Sequence, residues 1–192
     1  MGKGRLEAFS DGVIAIIITV MVLEMKVPTG DELNSLKPVF PVFLSYILSF
    51  VNIALYWNNH HHMMFIVQHV NGKVLWANTH LLFWLSLIPF TTAWMGENHF
   101  TTWPVALYGI VLMMAGIAYY ILAHTLLQLH GKNSTLAKAL GKDHKGIISV
   151  IIYIIAVPLA FLNSWISLTM YAMVSAMWLI PDRRIEKRIV QE

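Results

Sequence analysis

Residues Arg5–Leu23 read RLEAFSDGVIAIIITVMVL, almost wholly apolar from Ala8 onward yet carrying Ser10, Asp11 and Thr19. Sixteen residues apolar at all but three positions predict a helix long enough to enter a bilayer. A carboxylate near the bilayer centre costs roughly 2.5–3.5 kcal/mol, so Asp11 is expected to face protein or water and to mark a functional site. At about 100° per residue, Ile16, Thr19, Val20 and Leu23 fall on one stripe of that helix. The stripe must meet either a neighbouring helix or copies of itself around an axis.

The whole chain reads as this helix does. It has 192 residues, 57% hydrophobic and only 12% charged, with mean hydropathy +0.63. Soluble chains carry about twice that share of charge. The formal charge of +3 does not point to nucleic acid, because the basic residues are dispersed between apolar runs instead of forming one patch. No cysteine is present, which excludes disulfides, thiolate metal sites and thiol catalysis. Met1 to Arg5 resembles the start of a signal peptide. The apolar run that follows is too long and ends in Glu24-Met25-Lys26 without a cleavage site, so it is read as a retained span.

The pattern predicts an all-α integral membrane protein, a single domain over 1–192 with six transmembrane helices. The expected spans are about 7–25, 38–59, 74–95, 103–128, 146–163 and 165–181. Breaks fall at Val27-Pro28-Thr29-Gly30, Asn71-Gly72 and the short polar stretch 96–102. The polar connection 130–145 is expected to be an exposed loop, and Pro158 to kink the fifth span. Of the 13 lysines and arginines, all but Lys26 and Lys37 fall on the side of the two termini. The positive-inside rule then places both termini in the cytoplasm, in a multi-pass protein of the cell (inner) membrane. Trp57, Trp76 and Trp178 fall near the inner interface and Trp94, Trp103 and Trp165 near the outer one, as two aromatic belts.

The pattern Arg5-x-x-x-Phe9-Ser10-Asp11, followed seven residues later by Thr19, resembles the first-helix signature of the transmembrane protein 175 family. These are potassium channels of prokaryotic membranes and animal endolysosomes. Trp57-Asn58-Asn59-His60-His61, Asn78-Thr79-His80 and Ser86-Leu87-Ile88-Pro89-Phe90 resemble the family as well. The resemblance implies a passive potassium channel, not an enzyme, with no resident cofactor or metal and K+ as the permeant ion. It implies a homotetramer whose four first helices line a central pore. By motif position, the family's hydrophobic constriction lands on Ile16, further pore-facing apolar positions on Val20 and Leu23, and a hydroxyl layer on Thr19. Prokaryotic members have one six-span unit per chain, as here.

Such a pore works differently from a carbonyl filter. The chain has no TVGYG; Leu107-Tyr108-Gly109 lies in an apolar span. An isoleucine ring cannot coordinate a cation, but it forms a constriction that gates by dewetting. Potassium sheds water more readily than sodium, so a tight apolar ring beside Thr19 oxygens favours potassium. The alternative for Thr19 is a bond back to the Ala15 carbonyl.

Ser10 and Asp11 have two readings. They face an inner vestibule and attract cations, or their role is structural, with Asp11 tied to polar groups on the second and third spans, for which His60, His61, Trp76, Asn78 and His80 are the candidates. Arg5, with Phe9 part of the signature, is a poorer partner for Asp11 on its own helix and is free to reach another span or lipid phosphate. His60-His61-His62 spread around a helix and cannot converge on one metal. His80 and His124 sit singly in spans, which keeps a haem-binding redox protein as an alternative. A proton-coupled transporter, with Asp11 and a histidine as relay, is another; no inverted halves are detectable. No nucleophile–base set, phosphate loop or HExxH is present, and the fourth span lacks the arginines of a voltage sensor. The Arg183-Arg184-x-x-Lys187-Arg188 tail reads as a solvated or anionic-lipid-binding stop.

Overall fold

A computed structural model describes residues 2–131, 134–140 and 144–179, apart from the side chains of 139, 140 and 144. In these residues the chain is helical throughout: α1 (Gly4–Leu23), a 3-10 turn (Leu33–Leu36), α2 (Phe40–Ile66), α3 (Gly72–Ser86), α4 (Ile88–Glu97), α5 (Thr102–His130), α6 (Thr135–Leu140), α7 (His144–Leu159) and α8 (Ser164–Leu179). Four stretches are long and apolar enough to cross a membrane: α1, α2, α3 with α4 taken together, and α5. The shorter apolar helices α7 and α8 have 16 residues each, about 24 Å at 1.5 Å per residue. The expected end of the last span at Pro181-Asp182 and the basic tail lie outside the described residues.

Helix α5 is the centre of the packing. It contacts α3, α4, α7 and α8, and its buried side chains, among them Tyr108, Leu112, Leu122 and Leu126, form the middle of the core. Close approach to α8 is possible because Gly109 leaves room for the Tyr171 ring. α2 and α4 cross as tightly, with Gly96 against the backbone of Val42.

Several boundaries differ from those the hydropathy predicts, each for a local reason. The second helix runs on past 59 to Ile66, because His60, Met63 and Met64 are buried against the core. Its carbonyl end is held by Lys3, whose ammonium donates to Met64 O at 2.6 Å and Phe65 O at 2.9 Å. A cation at a helix C-terminus satisfies both the unpaired carbonyls and the dipole. The third span is two helices broken at Leu87. Pro89 has no N–H and its ring opposes the Leu85 carbonyl, so the ladder cannot run through. α3 begins where Asn71 accepts from the Val74 N–H at 3.0 Å.

The expected polar loop 130–145 contains a short helix, α6. Ser134 starts it, accepting from the Ala137 N–H at 3.1 Å, and Leu136 is buried. The fifth helix does not kink and continue to 163. It ends at Leu159, one residue past Pro158, in a turn through Ala160 to Asn163.

Candidate functional site

α1 has two faces of different fate. Leu6, Ser10, Ile14, Ile17 and Met21 are buried, a stripe at helical spacing packed on α2, α3 and α4. The other face is largely exposed among the described residues. Phe9 is 59% exposed, Ile16 62% and Leu23 79%; Arg5, Ala8, Gly12, Ala15 and Thr19 are exposed with them. Val20 is half-buried at the border, where α1 and α4 form a groove lined by Ile16, Val20, Glu24, Pro89 and Phe90. Of the expected stripe, Ile16, Thr19 and Leu23 are therefore exposed, and Val20 lies at the edge of the packed face.

The buried stripe carries a polar anchor. Asn78 of α3 donates from Nδ2 to Ser10 Oγ at 2.9 Å, and its Oδ1 lies 2.8 Å from His60 Nε2 of α2. Since Asn78 Oδ1 can only accept, His60 carries its proton on Nε2 in this contact. Ser10 closes the chain by donating to Leu6 O at 2.8 Å. Ser10, His60 and Asn78 are all buried, so one hydrogen-bond chain links three helices where water cannot substitute for a lost partner.

Asp11 stands one residue further round, on the exposed side. Its Oδ1 accepts from Trp57 Nε1 of α2 at 2.9 Å, and His61 stacks on the Trp57 ring at 5.5 Å between centroids. Of the five residues expected as partners of Asp11, none bonds it among the described residues: Asn78 bonds Ser10, His60 bonds Asn78, and His61 stacks on the Trp57 ring. Trp76 is 78% exposed, and His80 accepts from Trp84 of its own helix at 2.9 Å. Trp57, which the sequence places only in an aromatic belt, is the direct partner of Asp11. An indole N–H near an intramembrane carboxylate, on the helix next in sequence, is the signal that identifies it.

Thr19 donates from Oγ1 to the Ile16 carbonyl at 2.9 Å. This uses the hydroxyl proton on the helix and leaves oxygen lone pairs on the exposed face. His124 stacks on Tyr120, 5.9 Å between centroids. Among the described residues, no group of three or more His, Asp or Glu side chains converges on a metal-sized site.

Fold and site together define an all-helical membrane protein in which one helix is pinned by a buried polar chain and left with an unpacked apolar face. Comparison with known proteins makes that class ion channels. The family profile described as endosomal/lysosomal potassium channel TMEM175 matches residues 5–89. A protein of Chryseobacterium sp. (strain P1-3) named as a potassium channel is 53% identical over 189 residues, 98% of each chain. The crystal structure of a lysosomal potassium-selective channel TMEM175 homolog from Chamaesiphon minutus superposes with a TM-score of 0.76 at 27% identity, covering 93% of this chain and 96% of that one. The endosomal/lysosomal proton channel TMEM175 of Gallus gallus is 28% identical over 162 residues, 75% of this chain and 32% of its own. The chain belongs to the TMEM175 family of membrane ion channels.

Proposed function

We propose that this chain is one subunit of a homotetrameric potassium channel of the cell (inner) membrane, in which four copies of α1 surround the conduction path. Each subunit crosses six times, through α1, α2, α3 with α4, α5, α7 and α8, with both termini in the cytoplasm. The observation that carries this reading is the unpacked face of α1. A helix pinned on one side by Ser10, Ile14 and Ile17 presents Ile16, Thr19 and Leu23 away from its own subunit.

In the tetramer, Ile16 forms a ring whose apolar surface dewets when narrow, with Val20 and Leu23 extending it and Thr19 supplying oxygens between. Potassium passes as the permeant ion, and no resident cofactor is required. Asp11 tied to Trp57 acts as a structural latch between α1 and α2 in each subunit. Passive conduction fits the constriction better than a relay, because His60 is buried and bonded to Asn78.

The test is flux through the purified protein in potassium-loaded liposomes, with sodium and protons as comparison ions. A passive potassium flux exceeding the sodium flux, and increased when Ile16 is made polar, supports the channel and its gate. A proton flux that outruns potassium moves the function toward that named for the vertebrate relatives. Absence of flux for all three ions overturns the channel reading.

A further inference from the structure

Away from α1, four helices enclose a second polar feature that the conduction path does not use. α2, α5, α7 and α8 surround a cavity of about 60 Å³. Its floor is buried, formed by Asn52, Ser149, Tyr153 and Val174, and its rim of Tyr56, Asn59, Tyr119 and Trp178 is half-buried. A water needs roughly 10–15 Å³ measured in this way, so the space exceeds a single water site. Gly116 lines one wall, and its missing side chain leaves the Tyr56 hydroxyl 3.7 Å from where a Cβ would stand.

The polar atoms around this space are mostly engaged elsewhere, with one exception. Asn52 Nδ2 donates to Leu48 O at 2.9 Å and its Oδ1 accepts from Ser175. Trp178 Nε1 donates to Ser149 Oγ at 2.9 Å. Tyr153 is 4% exposed, and among the described residues its hydroxyl makes no hydrogen bond. That hydroxyl is also not sealed in protein, since among the described residues no fully buried side-chain oxygen lacks a partner; it opens onto the cavity it lines. A tyrosine hydroxyl held so deep ordinarily finds a partner.

We propose that this cavity is a binding site for a small uncharged alcohol of about two to four carbons, whose oxygen bonds the Tyr153 hydroxyl while its short hydrocarbon lies against Leu55, Gly116 and Val174. The lining determines the class. None of its side chains is a carboxylate or a basic group, so a charged ligand would enter unpaired. The walls are largely apolar with a single convergent hydroxyl available, the composition of a small-molecule pocket. The site lies within one subunit and is independent of how the pore is assembled.

The experiment is photolabelling of the purified full-length protein in liposomes with butanol carrying a diazirine, followed by mass-spectrometric mapping to single residues. The expected adducts fall on Tyr119, Tyr153 or Trp178 and fade with excess unlabelled butanol. Tyr153→Phe, which keeps the ring and removes the oxygen, should weaken competition about fivefold, the effect of one net hydrogen bond. Gly116→Phe, which fills the space, should abolish the labelling. If Gly116→Phe does not fold, Tyr153→Phe alone decides. Labelling confined to exposed positions away from the cavity, such as Trp76 and Phe83, or undiminished by butanol and by Tyr153→Phe, overturns the proposal.

Discussion

Ser10 and Asp11 are adjacent, yet they meet different environments because 100° of helix separates them. Ser10 points into the subunit and enters a buried chain with Asn78 and His60; Asp11 points outward and takes the Trp57 indole. Removing Asn78 strands two buried groups at once. Asn78→Ala should lower stability by roughly 1–3 kcal/mol, the cost of leaving buried polar partners unmade, read as an earlier melting transition in detergent. Asp11→Ala should instead reduce assembly or expression, because it unlatches α1 from α2; a fully assembled channel with altered conductance would return Asp11 to the vestibule role. In the proposed channel Ile16 bears on conduction, and its 62% exposed side chain adds little to the folding of the subunit. Ile16→Asn should raise conductance and relax potassium-over-sodium selectivity with little change in melting temperature. Unchanged currents would remove Ile16 from the gate.

At the scale of elements, helix boundaries are set by proline, caps and close approaches more than by hydropathy. Pro89 divides α3 from α4, and the divided piece packs against α2 through Gly96. A Cβ on Gly96 would stand 2.5 Å from Ser45 Oγ and 2.6 Å from Val42 Cα, a backbone atom that cannot rotate away. Gly96→Ala should therefore destabilise by about 1–3 kcal/mol, the usual cost of overpacking. Gly116→Ala is the internal comparison, because its nearest new contact lies at 3.7 Å. Thermal unfolding of the two variants side by side checks the contrast: a near-native Gly96→Ala would show that α4 can shift on α2. The same logic explains Lys3, whose place at the end of α2 depends on two carbonyls with no helical partner.

For the whole molecule, the proposed consequence of a one-sided α1 is assembly. The chain contains no cysteine, so a single introduced thiol reports on contacts between copies without background. Ile16→Cys or Leu23→Cys should give disulfide-linked dimers under mild oxidation in liposomes. Ile154→Cys, exposed on α7, should not. Equal crosslinking at all three positions would indicate random collision and remove the argument for α1 at the axis. Much of this design is legible along the chain. Hydropathy alone determines a helical membrane protein and locates its apolar segments, because desolvation cost is a local sum over neighbouring residues. The charge of Asp11 in an apolar run singles out α1 for the same reason. What the chain does not reveal is partnership. Trp57 lies 46 residues from Asp11 and Asn78 lies 68 from Ser10, and only the packing of α1 against α2 and α3 brings them within 3 Å. The run of α2 on to Ile66 and the cavity facing Tyr153 were likewise decided by tertiary structure. Each depends on distances between segments remote in sequence, and hydrogen bonds and close contacts are decided over tenths of an ångström.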